Sequence, residues 1–431
     1  MRYKIIDILR GTTTSLLYKQ LSSSLSSPEE LHKEQEKRLG YFLCQIKKQN
    51  PLYSTYLSKI SDVDIRQDPA TVLKMLPIVD KNFISQNREN LFAPISKRKW
   101  QFKKTGGSTG EPFQYAIDLK SISESWAYTL WCWNKYADYT PGDPYITIAG
   151  SSLGGGSYRL KTQIYRTLQN NYLISGDTIS KDMNVHSHRI KKAKLIFCYP
   201  SSMLALLETK PTLFLNHRLK AVFTTSEQLL SPVRKFIEKT LNVPVFDMYG
   251  ANDGGVISCE CNHHNGFHYD PFNCFIETIR NDVTGQSELL LTSLNSLCFP
   301  FVRYRVGDMA ELGEFGSCNC GNPFPLIKNL SGRTRDVLKL QDGSYVHGVV
   351  FNRLFYQFPE VKRYQIVQTK DYTITILVDI DSFSEWKDSS KHKQMKDELL
   401  KTLKETPFLI EALKTTSTGM QKFKLIESHV S

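Results

Sequence analysis

Along the chain the pattern of polar and apolar residues changes period several times. Residues 28–49, PEELHKEQEKRLGYFLCQIKKQ, place their apolar positions at helical spacing after a Ser-Pro start, and predict a helix. From about residue 190, short apolar runs alternate with amphipathic segments. KAKLIFCYP, LKAVFTTSE and VPVFDMYG predict strands, with SSMLALLE and PVRKFIEKTL as the helices between them. Repetition of strand and helix at this spacing predicts an α/β fold with parallel strands. ELLLTSLNS and PFVRYRVGDMAEL read as strands of a more β-rich segment. Beyond GRTRD the character changes again: VKRYQIVQTKDYTITILVDI is strand-rich, KHKQMKDELLKTLKE is helical, and FKLIES forms a short tail. Two domains are expected, a large one over residues 1–333 and a small α+β one over 334–431.

Bulk properties narrow the class. At 431 residues the chain is long for a single core, and 40% hydrophobic content suits a globular protein. No apolar run reaches the roughly 18 residues that a membrane span needs. Lys4 and Arg10 interrupt the apolar start MRYKIIDILRGTTTSLLY, which makes a poor signal peptide, so a cytoplasmic location is expected. The net charge of +12 fits either a lysine-rich solvated surface or attraction to anionic partners such as nucleotides, CoA or a lipid surface. Basic residues do not interleave with aromatics as in a nucleic-acid module, so nucleic acid is not an expected partner. Nine cysteines without a secretion signal argue against a disulfide framework. Cys44, Cys132, Cys198, Cys274 and Cys298 stand singly in apolar surroundings and read as core, as do Trp126, Trp131 and Trp133 on a helical run, although these tryptophans could also line an acid pocket.

The stretch KKTGGSTGEPFQYAID, residues 103–118, contains a G-x-S-x-G pattern around Ser108. A hydrolase nucleophile elbow needs a helix right after its serine. Here Phe113, Tyr115 and Ile117 alternate with polar Gln114, which predicts a strand instead. Neither a Walker A ending nor a G-x-G-x-x-G fingerprint is present. Thr105, Ser108 and Thr109 among Gly106, Gly107 and Gly110 remain suited to wrapping phosphates, because glycine lets backbone amides approach and hydroxyls donate to phosphate oxygens.

TGGSTGEP resembles the phosphate loop of the adenylate-forming enzymes, the acyl- and aryl-CoA ligase superfamily. Four more segments follow in that family's order. YGANDGG at 249 resembles its aromatic-Gly-x-Thr-Glu motif, YRVGD at 304 its Tyr-x-x-Gly-Asp motif, SGRTRDVLKLQDG its hinge, and STGMQKFK the segment with its catalytic lysine. NPLYSTYLSKI, LPIVDKNFI and CYPSS resemble the branch of phenylacetate-CoA ligases and capsular-polysaccharide-biosynthesis proteins.

The resemblance implies a large N-terminal domain with parallel sheets and helices and a small, mobile C-terminal domain. It implies ATP-dependent activation of a carboxylic acid as an acyl-adenylate, followed by transfer to CoA or to an amine. Thr105, Gly106, Gly107, Ser108, Thr109 and Gly110 would hold the β- and γ-phosphates. Tyr249 and Gly250 would flank the adenine, bordered by Ser226 and Glu227. Asp253 and Asn252 stand where the family has the magnesium-binding Glu and its Thr. Asp308 would take the ribose hydroxyls and Arg333 would approach the ribose or a phosphate. Lys422 matches the lysine that reaches the α-phosphate and the substrate carboxylate, with Lys424 as rival. Arg335 occupies the hinge position and Gln421 replaces a glycine. A homodimer is an arrangement the family also uses.

CECNHHNGFH (259–268) and CNC (318–320) suggest a closed structural zinc site, which takes four S or N ligands. The pattern in the relatives favours Cys261, His268, Cys318 and Cys320, with Cys259, His263 and His264 as substitutes. The departures at Asp253, Arg335 and Gln421 leave a second reading, a catalytically silent, zinc-stabilised binding protein.

Overall fold

In the computed structural model the described residues are 2–23, 27–93, 99–104, 114–148, 160–174, 183–251, 253–280, 287–333, 337–347, 350–351, 354–355, 357–413 and 425–430. The chain divides into two compact units. One comprises residues 1–143, 164–170 and 246–330, and the other 144–163, 171–245 and 331–431.

The first unit begins with helices. Pro28–Gln49 is the helix that the periodicity predicts, and its start is fixed by a capping box. The Ser27 side chain accepts from the Glu30 amide, and the Glu30 carboxylate accepts from the Ser27 amide. Leu39, Phe42, Leu43 and Ile46 of this helix enter a core with Tyr115, Ile117, Phe301 and Tyr304. The helix Leu119–Ala137 buries Trp131 and Trp133, so these two rings pack as core. Strands of this unit lie side by side in the order Cys274–Arg280, Ser287–Ser293, Tyr304–Gly313, Leu326–Arg333, Phe267–Tyr269 and Val256–Glu260, with Val245–Ala251 next. Cys274–Arg280 with Ser287–Ser293, Ser287–Ser293 with Tyr304–Gly313, Leu326–Arg333 with Phe267–Tyr269, Phe267–Tyr269 with Val256–Glu260, and Val256–Glu260 with Val245–Ala251 all pair antiparallel.

A separate hairpin pairs Trp100–Lys104 with Gln114–Asp118, so a strand does follow the glycine-rich segment. That finding removes the nucleophile-elbow geometry. All five isolated cysteines read as core are buried.

In the second unit the predicted strands and helices alternate as expected. Ala221–Thr225, Leu195–Cys198, Tyr145–Ile148 and Asn171–Ile174 are neighbours in that order, all parallel. Pro200–Thr209 and Ser231–Leu241 are the helices, and each starts with proline in its first turn, where the missing amide costs nothing. The fold is thus α/β, and this unit carries a block of four parallel strands.

Residues beyond 337 form a sheet of their own, in the order Phe408–Ala412, Ile374–Asp379, Arg363–Gln368 and Ile426–Ser428. Helix Ser390–Leu403 covers it, burying Met395, Leu399 and Leu403 against Ile366, Ile374 and Ile376. The FKLIES tail supplies the edge strand Ile426–Ser428, parallel to Arg363–Gln368.

Candidate active site and metal centre

Two buried carboxylates face phenols in the first unit. Asp308 sits on the strand Tyr304–Gly313 just after Gly307, whose φ of +87° suits glycine. Its Oδ2 accepts a hydrogen bond of 2.7 Å from the Tyr249 hydroxyl. Asp253 follows the strand Val245–Ala251, and its Oδ2 accepts from the Tyr304 hydroxyl at 3.0 Å. Lys81 Nζ lies 4.0 Å from the same oxygen. Both carboxylates are only 8% exposed, so each is positioned rather than freely solvated.

The turn after Asp253 is built on close approach. A Cβ on Gly254 would lie 2.3 Å from Leu291 Cδ1, and one on Gly255, at φ +75°, would lie 2.6 Å from Ser293 Oγ. Side chains at these two positions would push Asp253 away from Tyr304.

Tyr304 and Lys81 are partners that motif reading did not assign. Tyr304 opens the YRVGD segment, and that was the available signal. Lys81 follows Asp80, whose side chain caps its helix by accepting from the Phe83 amide. Nothing in the sequence pattern marks Lys81 as a neighbour of Asp253. Tyr249, expected beside adenine, turns its hydroxyl to Asp308.

In the second unit, Ser226 adopts φ +69° and the Glu227 carboxylate accepts from the Ser201 amide at 3.1 Å. That amide opens the helix Pro200–Thr209, where a negative charge is favourable. Gly250 lies in the strand Val245–Ala251. Thr105 through Gly110, Asn252, Arg335, Gln421, Lys422 and Lys424 lie outside the described residues, as does the side chain of Arg333.

Cys261, His268, Cys318 and Cys320 come together, with one donor atom from each and all four atoms within 4.8 Å of one another. Cys261 Sγ and Cys318 Sγ are 3.7 Å apart. A tetrahedron of thiolates about 2.3 Å from zinc has S–S edges of about 3.8 Å. Cys320 Sγ is 3.2 Å from His268 Nε2. His268 Nδ1 donates to the Phe324 carbonyl at 2.9 Å, which leaves Nε2 as the ligating nitrogen.

Burial pulls the His268 pKa down to about 4, so its ring is neutral at pH 7, the form that binds metal. Burial likewise pushes the Cys261 thiol up to about 12. A bound dication would offset that cost by drawing off the proton. The donor set and its spacing therefore fit zinc, and four protein ligands describe a closed site.

The possible substitutes are placed elsewhere. Cys259 is fully buried, His264 pairs with Glu260 at 3.1 Å, and His263 is exposed.

No family model matches the chain. Among curated proteins it is similar to Protein CapK of Staphylococcus aureus, 23% identical over 335 residues, 74% of this chain and 72% of that one. It is also similar to phenylacetate-coenzyme A ligase of Pseudomonas putida, 24% identical over 330 residues, 73% of each. Among solved structures, 2-hydroxyisobutyryl-CoA ligase in complex with R3-HIB-AMP superposes with a TM-score of 0.69 at 14% identity, over 91% of this chain and 88% of that one. The same ligase with 2-HIB-AMP and CoA gives 0.57 at 15% identity, over 94% and 90%. The chain resembles the adenylate-forming ligases in sequence and shares the fold of this acyl-CoA ligase.

The motif resemblance to phenylacetate-CoA ligases agrees with these two sequence relatives. The expected α/β fold of the adenylate-forming enzymes is the fold observed. Among the described residues, no helix is long and apolar enough to cross a membrane.

Proposed function

We propose that this protein activates a carboxylic acid with ATP and transfers the acyl group to CoA. In the first step a carboxylate oxygen attacks the α-phosphorus and the bond to pyrophosphate breaks. In the second the CoA sulfur attacks the acyl carbon and AMP leaves. The observation that carries this reading is the pair of phenol-held carboxylates, Asp308 and Asp253, in motifs that stand in the superfamily's order. The relatives support it: one is a phenylacetate-CoA ligase, and the solved ligase binds an acyl-AMP and CoA.

The residue roles in this proposal follow from charge. A carboxylate is a weak nucleophile, and its attack loads negative charge onto a pentavalent phosphorus. Lys422 is assigned to that charge, and Thr105–Gly110 to the β- and γ-phosphates. Asp308 accepts from the ribose hydroxyls, and its bond from Tyr249 fixes the orientation of the carboxylate. Arg333 approaches the ribose or a phosphate. Tyr249, Gly250, Ser226 and Glu227 border the adenine. Asp253 and Asn252 offer the hard oxygens that magnesium takes, and Tyr304 holds Asp253 in place. Magnesium, when bound, neutralises phosphate charge. Cys261, His268, Cys318 and Cys320 hold a structural zinc.

We place the start of the small domain at residue 334. Its support is the separate core around Tyr364, Ile366 and Leu399. A role in surface-polysaccharide synthesis, with an amine in place of CoA, rests on motif resemblance alone. The test is exchange of labelled pyrophosphate into ATP across aryl, fatty, amino and uronic acids, with CoA and amines added in a second stage. Exchange with one acid class, lost in Lys422→Ala, is expected. ATP binding without exchange for any acid would overturn the proposal in favour of a silent binding protein.

A further inference from the structure

The first two helices, Arg2–Arg10 and Thr14–Ser23, form a hairpin that turns at Gly11, where φ is +69°. One side is anchored in the first unit by Tyr3, Ile6 and Leu21, all buried, and by the Thr13 amide donating to Ser123 Oγ. The opposite side is apolar and exposed. Ile5, Ile8 and Leu9 stand at i, i+3 and i+4, a single helical stripe, at 40, 81 and 54% exposure, and Leu16 on the next helix is 55% exposed.

Charge distinguishes this face from an ordinary sticky patch. Asp7 is the sole acidic residue before Glu29, and it is buried. Its oxygens accept from Thr12 Oγ1, the Thr14 amide, and the amide and hydroxyl of Ser15, so its charge caps the second helix. The exposed charges of the hairpin are Arg2, Lys4 and Lys19, all positive, on a chain of net charge +12.

We propose that this hairpin docks the protein onto an anionic lipid surface. Aliphatic side chains would enter the headgroup–acyl boundary while lysine and arginine pair with lipid phosphates, the arrangement of interfacial helices. A second copy of this chain is the less suitable occupant, because a two-fold contact would bring Arg2, Lys4 and Lys19 against their own equivalents. This inference is independent of the proposed activity.

The test is co-sedimentation of the full chain with vesicles of phosphatidylcholine containing about one-third phosphatidylglycerol, against pure phosphatidylcholine. Binding to the anionic vesicles alone is expected, weakening by at least about tenfold when salt is raised to about 0.5 M. Two variants, Ile8→Asp with Leu9→Asp, and Lys4→Glu with Lys19→Glu, should each lose that binding while keeping the wild-type melting temperature. Should the aspartate variant fail to fold, the glutamate variant reads the same surface through charge alone. Failure to sediment with anionic vesicles would overturn the proposal, as would folded variants that bind like wild type. A wild-type dimer in light scattering that the aspartate substitutions dissociate would overturn it too, by assigning the face to a second copy.

Discussion

The Cys/His cluster and the carboxylate–phenol pairs lie in the same unit and solve opposite problems. In the cluster four donors point at one another, three of them buried and Cys320 half-buried, so the set is complete without a substrate. At Asp308 and Asp253 each carboxylate accepts a hydrogen bond from a phenol through its Oδ2. Donor spacing thus separates a closed cluster of four from two carboxylates each held by a single phenol.

The comparison makes distinct forecasts for the two regions. Asp308→Ala should cut pyrophosphate exchange by roughly 100-fold or more, because ribose misplacement moves the α-phosphate off line. Its melting temperature should barely change, and a variant that exchanges at the wild-type rate would break the assignment. Cys320→Ser should do the reverse. Zinc measured by plasma mass spectrometry should fall from about one per chain to a small fraction, and the melting temperature should drop by roughly 5–10 °C. Unchanged zinc content would show that these four residues are not the ligands.

The smallest effect is expected at Asp270. Its Oδ1 accepts from the Phe272 amide, while Oδ2 has no hydrogen-bond partner among the described residues. Burial, with a further push from Glu124, raises its pKa to about 7. Between about pH 4 and 7 the folded protein therefore holds a proton that the unfolded chain releases, so stability falls as pH rises through that window. Asp270→Asn keeps the shape and removes the proton. Its melting temperature should exceed wild type above pH 7, with a flatter slope below. Identical pH profiles for the two proteins would refute a protonated Asp270.

How far this was legible in sequence differs between the two regions. The C-x-C pair at 318 and the Cys/His-rich run 259–268 mark a candidate metal site by residue type, whereas the choice of Cys261 and His268 within that run follows from the family resemblance. Periodicity also gave the alternating strands and helices of residues 195–251, where each element is short and bounded by proline or polar residues. The sequence did not reveal which phenol holds which carboxylate. Tyr249 and Asp308, or Tyr304 and Asp253, meet although Val245–Ala251 and Tyr304–Gly313 are not adjacent in the sheet, and period-two patterning says nothing about such side-chain meetings. Lys81 is further hidden, arriving beside Asp253 from a six-residue helix.

The contact between Cys261 and Cys318 also has a topological meaning. Fifty-seven positions separate the two sulfurs, and the segment between them includes Tyr304 and Asp308. A metal bound by both would turn that segment into a ring, and closing a ring of this length would remove much of the freedom the unfolded chain otherwise enjoys. With that metal in place, the strand Tyr304–Gly313 would be tethered at both ends of its excursion. Local opening that frees Asp308 would then either stay within the ring or undo the metal clasp first.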